Sequence, residues 1–250
     1  MTGAEIVLHG VVAVAALLQG ITGIGFALLA GPVILILRDD AASLQIISML
    51  TLAIALMLMP VVHTHVDRRL FFRIALAAII AMPLGLALYA TADVAALKLG
   101  AGGLLAALLA VTHLGGAQWV PRGRGTALAA GGVAGITGGA LAMIGPPVSL
   151  YLTASGRAKN TARATVLAVF VPCYLVLIAG QAVATGFASA TLIDAATFLP
   201  ALALGTVGGH LAAGRVSERL FRQVVTVFLV ATTVALILDG SGLLSPGSAT

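Results

Sequence analysis

Stretches of about twenty apolar residues recur along the whole chain, over 42–62, 70–90, 94–114, 163–185, 189–212 and 220–239. An α-helix rising ~1.5 Å per residue needs that length to cross a hydrocarbon layer ~30 Å thick. A water-soluble core has no use for so many of them. The composition agrees: 60% of the 250 residues are hydrophobic and 8% are charged, against roughly a quarter charged in a soluble domain. Membrane β-barrel strands alternate over about ten residues and are rich in aromatics, whereas here aromatics are 5% and the apolar runs are unbroken. The expected fold class is an all-α polytopic membrane protein.

Charge is confined to the short segments between these runs. Residues 63–73 hold Arg68, Arg69 and Arg73; 115–126 hold Arg122 and Arg124; 153–163 hold Arg157, Lys159 and Arg163; and 213–222 hold Arg215, Arg219 and Arg222. The formal charge of +5 therefore reads as the positive-inside pattern, with all four segments cytoplasmic, and no nucleic-acid partner is expected. The single cysteine, Cys173 beside Pro172, permits no internal disulfide and is expected to pack. No cleavable signal is expected, because Glu5 is the only charged side chain near the start.

The chain repeats itself. At an offset of 115, Gly20-Ile21-Thr22-Gly23 falls on Gly135-Ile136-Thr137-Gly138, and Ala27, Pro32, Val33, Leu35 and Leu37 fall on Ala142, Pro147, Val148, Leu150 and Leu152. At an offset of 124, Ala77, Ala81 and Gly85 fall on Ala201, Gly205 and Gly209. Each half reads as a Gly-rich interrupted segment, about 5–37 and 127–152, followed by three continuous helices. A first membrane repeat over 1–114 is thus joined by a cytoplasmic linker, 115–126, to a second over 127–250.

With every basic segment on one side, 127–152 must enter the membrane and return to the side it came from. By repeat symmetry 5–37 does the same from the other face. Its parts, about 5–19 and 26–37, would be only ~18–22 Å long at ~1.5 Å per residue, too short to span, and are expected to meet inside the bilayer. One re-entrant pair plus three crossings is an odd count, so the halves are expected to be inverted repeats. In transporters such repeats place broken helices at the midplane, around the substrate. The alternative, a single crossing by each Gly-rich segment, gives eight crossings and parallel repeats and leaves the basic 153–163 segment outside.

The breaks Gly20–Gly25 and Gly135–Gly139 free backbone N–H groups where there is no bulk water. The half-helices after them would turn positive dipole ends toward a small anion. The expected substrate-binding residues are Gly20, Thr22, Gly23, Gly25, Gly135, Thr137, Gly138 and Gly139, with Ser43 and Gln45, and Ser48 and Ser149, as further lining groups. Arg163 joins them because a guanidinium can fork onto an oxyanion. The plainer alternatives are close helix packing for the small residues and an interface marker for Arg163. The ladders Ala77/Ala81/Gly85 and Ala201/Gly205/Gly209/Ala213 are read as packing seams only.

No Asp or Glu falls in the middle of a span; Glu5, Asp93, Asp194 and Asp239 are near ends, which argues against a carboxylate-lined cation path. Proton coupling would then fall to the substrate or to His9, His113 or His210. His63-Thr64-His65-Val66-Asp67 has no further ligand pattern around it, so no metal is expected. The chain has no Walker A pattern and only Lys98 and Lys159 as lysines, so neither an ATPase nor a cofactor is expected. No nucleophile, acid–base pair or metal cluster converges as an enzyme would require.

The segments Gly20–Pro32 and Gly135–Pro147 resemble the sulfite exporter TauE/SafE family of membrane permeases. So does the close of each half, Ala81–Ala87 with Leu97-Lys98 and Gly205–Leu211 with Phe221-Arg222. The resemblance covers nearly the whole chain. It implies a secondary transporter moving a small anion, a sulfur oxyanion or organosulfonate such as sulfite or sulfoacetate, across the bacterial inner membrane. Its partners would be that anion and the lipid bilayer, with protons as a coupling ion and a homo-oligomer both left open. Two rival readings stand beside it. A passive anion channel would need a continuous polar path, and a non-transporting assembly factor would bind other membrane proteins through the small-residue seams.

Overall fold

Asp and Gly residues punctuate the chain where its apolar runs stop, and each described element between them is helical. The computed structural model describes residues 3–113, 123–213 and 218–241. The linker segment 114–122 with Arg122, then Arg215, and the side chains of His113, Arg219 and Arg222 lie outside the described residues. The first half holds α1 (Gly3–Thr22), α2 (Phe26–Arg38), α3 (Ala42–Val62), α4 (Arg68–Thr91) and α5 (Val94–His113), with a 3-10 turn at His63–His65. The second holds α6 (Arg124–Leu141), α7 (Gly145–Ala154), α8 (Lys159–Thr185), α9 (Ser189–Ala212) and α10 (Glu218–Gly240). Carboxylates start three of them. Asp40 accepts the Ser43 N–H at 2.8 Å, Asp67 the Leu70 N–H at 3.1 Å and Asp93 the Ala96 N–H at 2.7 Å, each satisfying an orphan donor of a first turn.

Among the described residues, six helical segments are long and apolar enough to cross a membrane, Glu5–Thr22, Ala42–His65, Arg68–Thr91, Val94–Val111, Lys159–Thr185 and Ser189–Ala212. Their outer surfaces are apolar as well. Phe72, Leu76, Ile80, Leu84 and Leu88 recur every four residues along α4 and are all more than half exposed. In water such a stripe invites association; in a bilayer it faces lipid. The chain is a multi-pass helical membrane protein.

Helix pairing crosses between the halves. α1 lies along α9 and α6 along α4, through glycines that let backbone approach backbone. A Cβ on Gly205 or Gly209 would meet the Ala13 or Leu17 carbonyl, and one on Gly135 or Gly139 the carbonyl of Ala78 or Met82. The helix-propensity cost of each glycine, ~1 kcal/mol, is offset by that close approach. α3 packs on α8 and α5 on α10. Exchanging α1–α5 for α6–α10 maps these four pairings onto one another.

α3 and α8 run antiparallel. Gln45, early in α3, donates to Thr185 and Gly186 at the end of α8, at 3.1 and 2.9 Å. The Asp67 N–H, past the end of α3, donates to Thr165 near the start of α8 at 3.1 Å. It follows that α4 and α9 begin at opposite ends of the bundle. The hairpin α1–α2 has both its ends by the start of α9, where His9 Nε2 lies 3.2 Å from the Thr197 carbonyl and Arg38 donates to Asp194 at 2.5 Å. The hairpin α6–α7 has both its ends by the start of α4. There Tyr151 donates to the Gly123 carbonyl at 3.2 Å, and Arg157, just past α7, pairs with Asp67 at 3.2 Å.

Charge divides the two ends. Arg68, Arg124, Arg157 and Lys159 lie at the end where α4 starts, the basic end. Asp39, Asp40, Asp93, Asp194 and Asp239 lie at the other, with Arg38 and Lys98. Lys98 is buried there between Asp39 at 2.6 Å and Asp239 at 2.5 Å, tying α5 to α10 and to the end of α2.

The helix breaks fall later than the glycines suggest, which corrects one expectation. α1 stays helical through Gly20-Ile21-Thr22, and at about 30 Å it is long enough to cross, not a half-helix. α6 stays helical through Gly135–Gly139. The interruptions are Gly23-Ile24-Gly25 and Ala142-Met143-Ile144. Packing of the glycines on α9 and α4 holds the backbone helical, and the chain turns only where Gly23 and Ala142 take positive φ, 83° and 56°.

Candidate functional site

The first break is held together by its own side chains. The Thr22 hydroxyl is shared between the carbonyls of Leu18 at 2.8 Å and Ile24 at 2.6 Å, and the Gly23 N–H returns to the Gln19 carbonyl at 2.6 Å. The first N–H of α2, on Phe26, donates to Oε1 of Gln19 at 2.8 Å. Gly23 has a second reason to be glycine besides its positive φ: a Cβ there would strike the stem of Arg163. Arg163 stands one turn into α8 and donates to the Gly20 carbonyl and, at 3.3 Å, to Nδ1 of His210. The last turn of α1 leaves carbonyls without helical partners and carries the negative end of its dipole, so a cation is favoured there. Part of the guanidinium remains uncommitted, since its Nε is buried without a partner.

Arg163 also forms part of a cavity wall. A space of about 400 Å³ lies between the first break (Thr22, Ile24), α7 (Ser149, Thr153) and the first turns of α8 (Lys159, Asn160, Arg163). A smaller one of about 160 Å³ lies beyond Asn160 and Arg163 and reaches His65 and His210. Among the described residues no carboxylate lines either space. No side chain caps the start of α8, so a long helix turns its N-terminal dipole end into a cavity that already holds a guanidinium, a combination that attracts anions. The larger volume falls in the range of ~300–1,000 Å³ seen for small-molecule sites. The lining is rich in donors, which suits it to binding a small anion.

The second break is sealed. Ala142, Met143 and Ile144 are all buried. Thr137 donates to the Met143 carbonyl at 2.8 Å and Tyr174 to the Ala142 carbonyl at 2.8 Å. α7 opens Gly145-Pro146-Pro147, and prolines carry no N–H to offer a ligand. Ile24 of the first break reaches the position a Cβ on Gly145 would face, so the two breaks approach each other in the interior.

Of the residues expected from sequence, Gly20, Thr22, Gly23 and Arg163 come together at the cavity, with Gly25 at the head of α2. Gly135 and Gly139 lie on the α4 seam, and Thr137 and Gly138 at the sealed break. Ser43 and Gln45 are at the acidic end. Ser43 donates to Asp40 at 2.6 Å and Gln45 binds Thr185, which is about 33 Å from Arg163 along α8 at ~1.5 Å per residue. Among the described residues no three His, Cys, Asp or Glu side chains converge as metal ligands. Two amides escape a search confined to ionisable groups. Gln19 and Gln181 are both buried, with Nε2 of the first and both amide atoms of the second unpartnered. Each such orphaned group costs ~1–3 kcal/mol. A polar side chain within an otherwise apolar span is the signal that marks them.

A family model, Sulfite exporter TauE/SafE, matches residues 8–236. No curated protein and no solved structure matches the chain.

Proposed function

Because the chain belongs to the sulfite exporter TauE/SafE family, a family of membrane transporters of sulfur anions, we propose that it is a secondary carrier of a small sulfur oxyanion or organosulfonate, with sulfite and sulfoacetate as the first candidates. The cavity beside Arg163 is its inward-facing anion station. One observation carries this reading: a guanidinium held in the wall of a cavity that no carboxylate lines among the described residues, under the uncapped N-terminus of a 27-residue helix. Gly20, Thr22, Gly23 and Gly25 shape the wall, Arg163 supplies the charge, and Lys159, Asn160 and Ser149 complete the lining. Gly135, Thr137, Gly138 and Gly139 hold the second hairpin against α4, and Ser43 and Gln45 stand at the far mouth.

The basic end is the cytoplasmic one in this reading, in a bacterial inner membrane. Both hairpins are then re-entrant, and repeats 1–114 and 127–250, joined by the 115–126 linker, are inverted. Two things support that: the hairpins insert from opposite ends, and the pairings of one half reappear in the other. Access changes by rocking one repeat on the other. Carrier is favoured over channel because Tyr174 and the sealed second break interrupt any polar path between the ends. Protons are the coupling ion, entering through His210 beside Arg163.

Uptake of labelled sulfite into proteoliposomes, with sulfoacetate and other small anions as competitors and with or without a pH gradient, tests the reading. Saturable, competed uptake is expected. Arg163→Gln should raise KM about 10–100-fold, the equivalent of a ~1.5–3 kcal/mol charged hydrogen bond, with Arg163→Lys between. Absence of saturable flux for any of these anions, from folded wild-type protein, would overturn it.

A further inference from the structure

Three polar side chains of α8 fall on one line. Arg163, Tyr174 and Gln181 are separated by steps that keep them within about 20° on the helix surface at ~3.6 residues per turn, and Gln181 lies five turns, about 27 Å, from Arg163. That face is turned into the bundle: α8 packs on α3 and α4, Cys173 faces the Ala75 carbonyl, and Tyr174 is wholly buried. Gln181 is wholly buried too, and neither its amide oxygen nor its amide nitrogen has a partner. Its polar neighbours are engaged elsewhere. Thr185 donates to the backbone carbonyl of Gln181 at 3.1 Å and accepts from Gln45.

An amide that fills space and bonds nothing is a poor choice for packing, since Leu or Met has similar bulk without the desolvation. Its place explains it better. Gln181 lies on the acidic-end side of Tyr174, on the face that Arg163 begins at the basic end. Pro172, between them, removes one helical hydrogen bond and gives α8 a point at which to flex.

We propose that Gln181 is the outward-facing anion contact of the transport path, its amide N–H donating to an oxyanion oxygen when the acidic-end half of the bundle opens. This rests on the reading of Arg163 as the inward-facing station. A neutral amide suits an exit: it offers donors to sulfite or sulfonate oxygens without the hold of a fixed cation. The fully buried state is then the closed outer gate of an inward-open protein.

Two arms test it. Gln181→Leu should raise KM for sulfite added outside at least tenfold while the melting temperature in detergent stays level or rises, because an unpartnered amide has been removed. In a Cys173→Ala background, Gln181→Cys should react from outside with an impermeant methanethiosulfonate bearing a sulfonate, and sulfoacetate, which does not itself attack the reagent, should slow that reaction several-fold. An unchanged external KM in folded Gln181→Leu, or a Gln181→Cys that never labels, overturns the proposal. Where Gln181→Leu does not fold, the labelling arm decides. If the wild-type protein carries none of the anions, the transport reading fails by itself, and protection of Gln181→Cys by sulfoacetate still separates an anion contact from a packing residue.

Discussion

Arg163 donates to Nδ1 of His210 at 3.3 Å. A guanidinium has only donors, so His210 must present a lone pair there, and its proton, when neutral, is on Nε2.

That contact orients the guanidinium, in a space that His65 also lines and next to the one Lys159 lines. His210→Ala removes the acceptor, and the expected result is a KM for sulfite raised several-fold, read from initial uptake rates, with His210→Gln, which keeps an acceptor, in between. An unchanged KM in His210→Ala would exclude His210 from positioning Arg163.

Thr22 and Thr137 occupy matching places in the two halves, and each donates its hydroxyl across a break, to Ile24 and to Met143. Thr22→Val and Thr137→Val should each lose about 1 kcal/mol of stability, the net worth of one hydrogen bond, seen as a lowered melting temperature in detergent. Only Thr22→Val should also shift KM, because Thr22 lines the cavity and Thr137 does not.

Gly208 and Gly209 are neighbours with different surroundings. A Cβ on Gly209 meets the Leu17 backbone, while one on Gly208 meets nothing within 4 Å. Gly209→Ala should cost about 1–3 kcal/mol by forcing α1 away from α9, and Gly208→Ala should be neutral or slightly stabilising. The yield of monodisperse protein and its melting temperature report both.

Topology is tested by cysteines at exposed positions in the Cys173→Ala background. Gly123→Cys and Ala158→Cys should react with impermeant reagent only from the cytoplasm, and Ala188→Cys only from outside. Reaction of Ala158→Cys from outside would replace inverted repeats by parallel ones.

The helices α3, α4, α5, α8, α9 and α10 were legible from apolar length alone, because in lipid a backbone can satisfy its polar groups only by running helical from one side to the other. The packing seams were legible as well, since small residues every four positions can only form a stripe. The breaks were read several residues early. Glycine signals freedom to turn, but whether it is used for a turn or for a close approach depends on what lies alongside, and α9 and α4 come from distant parts of the chain. The same limit hid the asymmetry of the two Gly–Thr segments, nearly identical in sequence, one bordering a cavity and the other covered by Tyr174.

Sequence by itself determined that this chain is a helical membrane protein and which of its segments between the apolar runs are basic. Each follows from local composition acting against a uniform apolar solvent. Only the tertiary structure decided that Arg163 meets the end of α1 and His210, that Ser43 and Gln45 belong to the other end, and that Gln181 is buried without a partner. Those facts depend on which helix lies against which, and the bilayer, apolar to every helix alike, leaves that choice to packing between surfaces far apart in sequence.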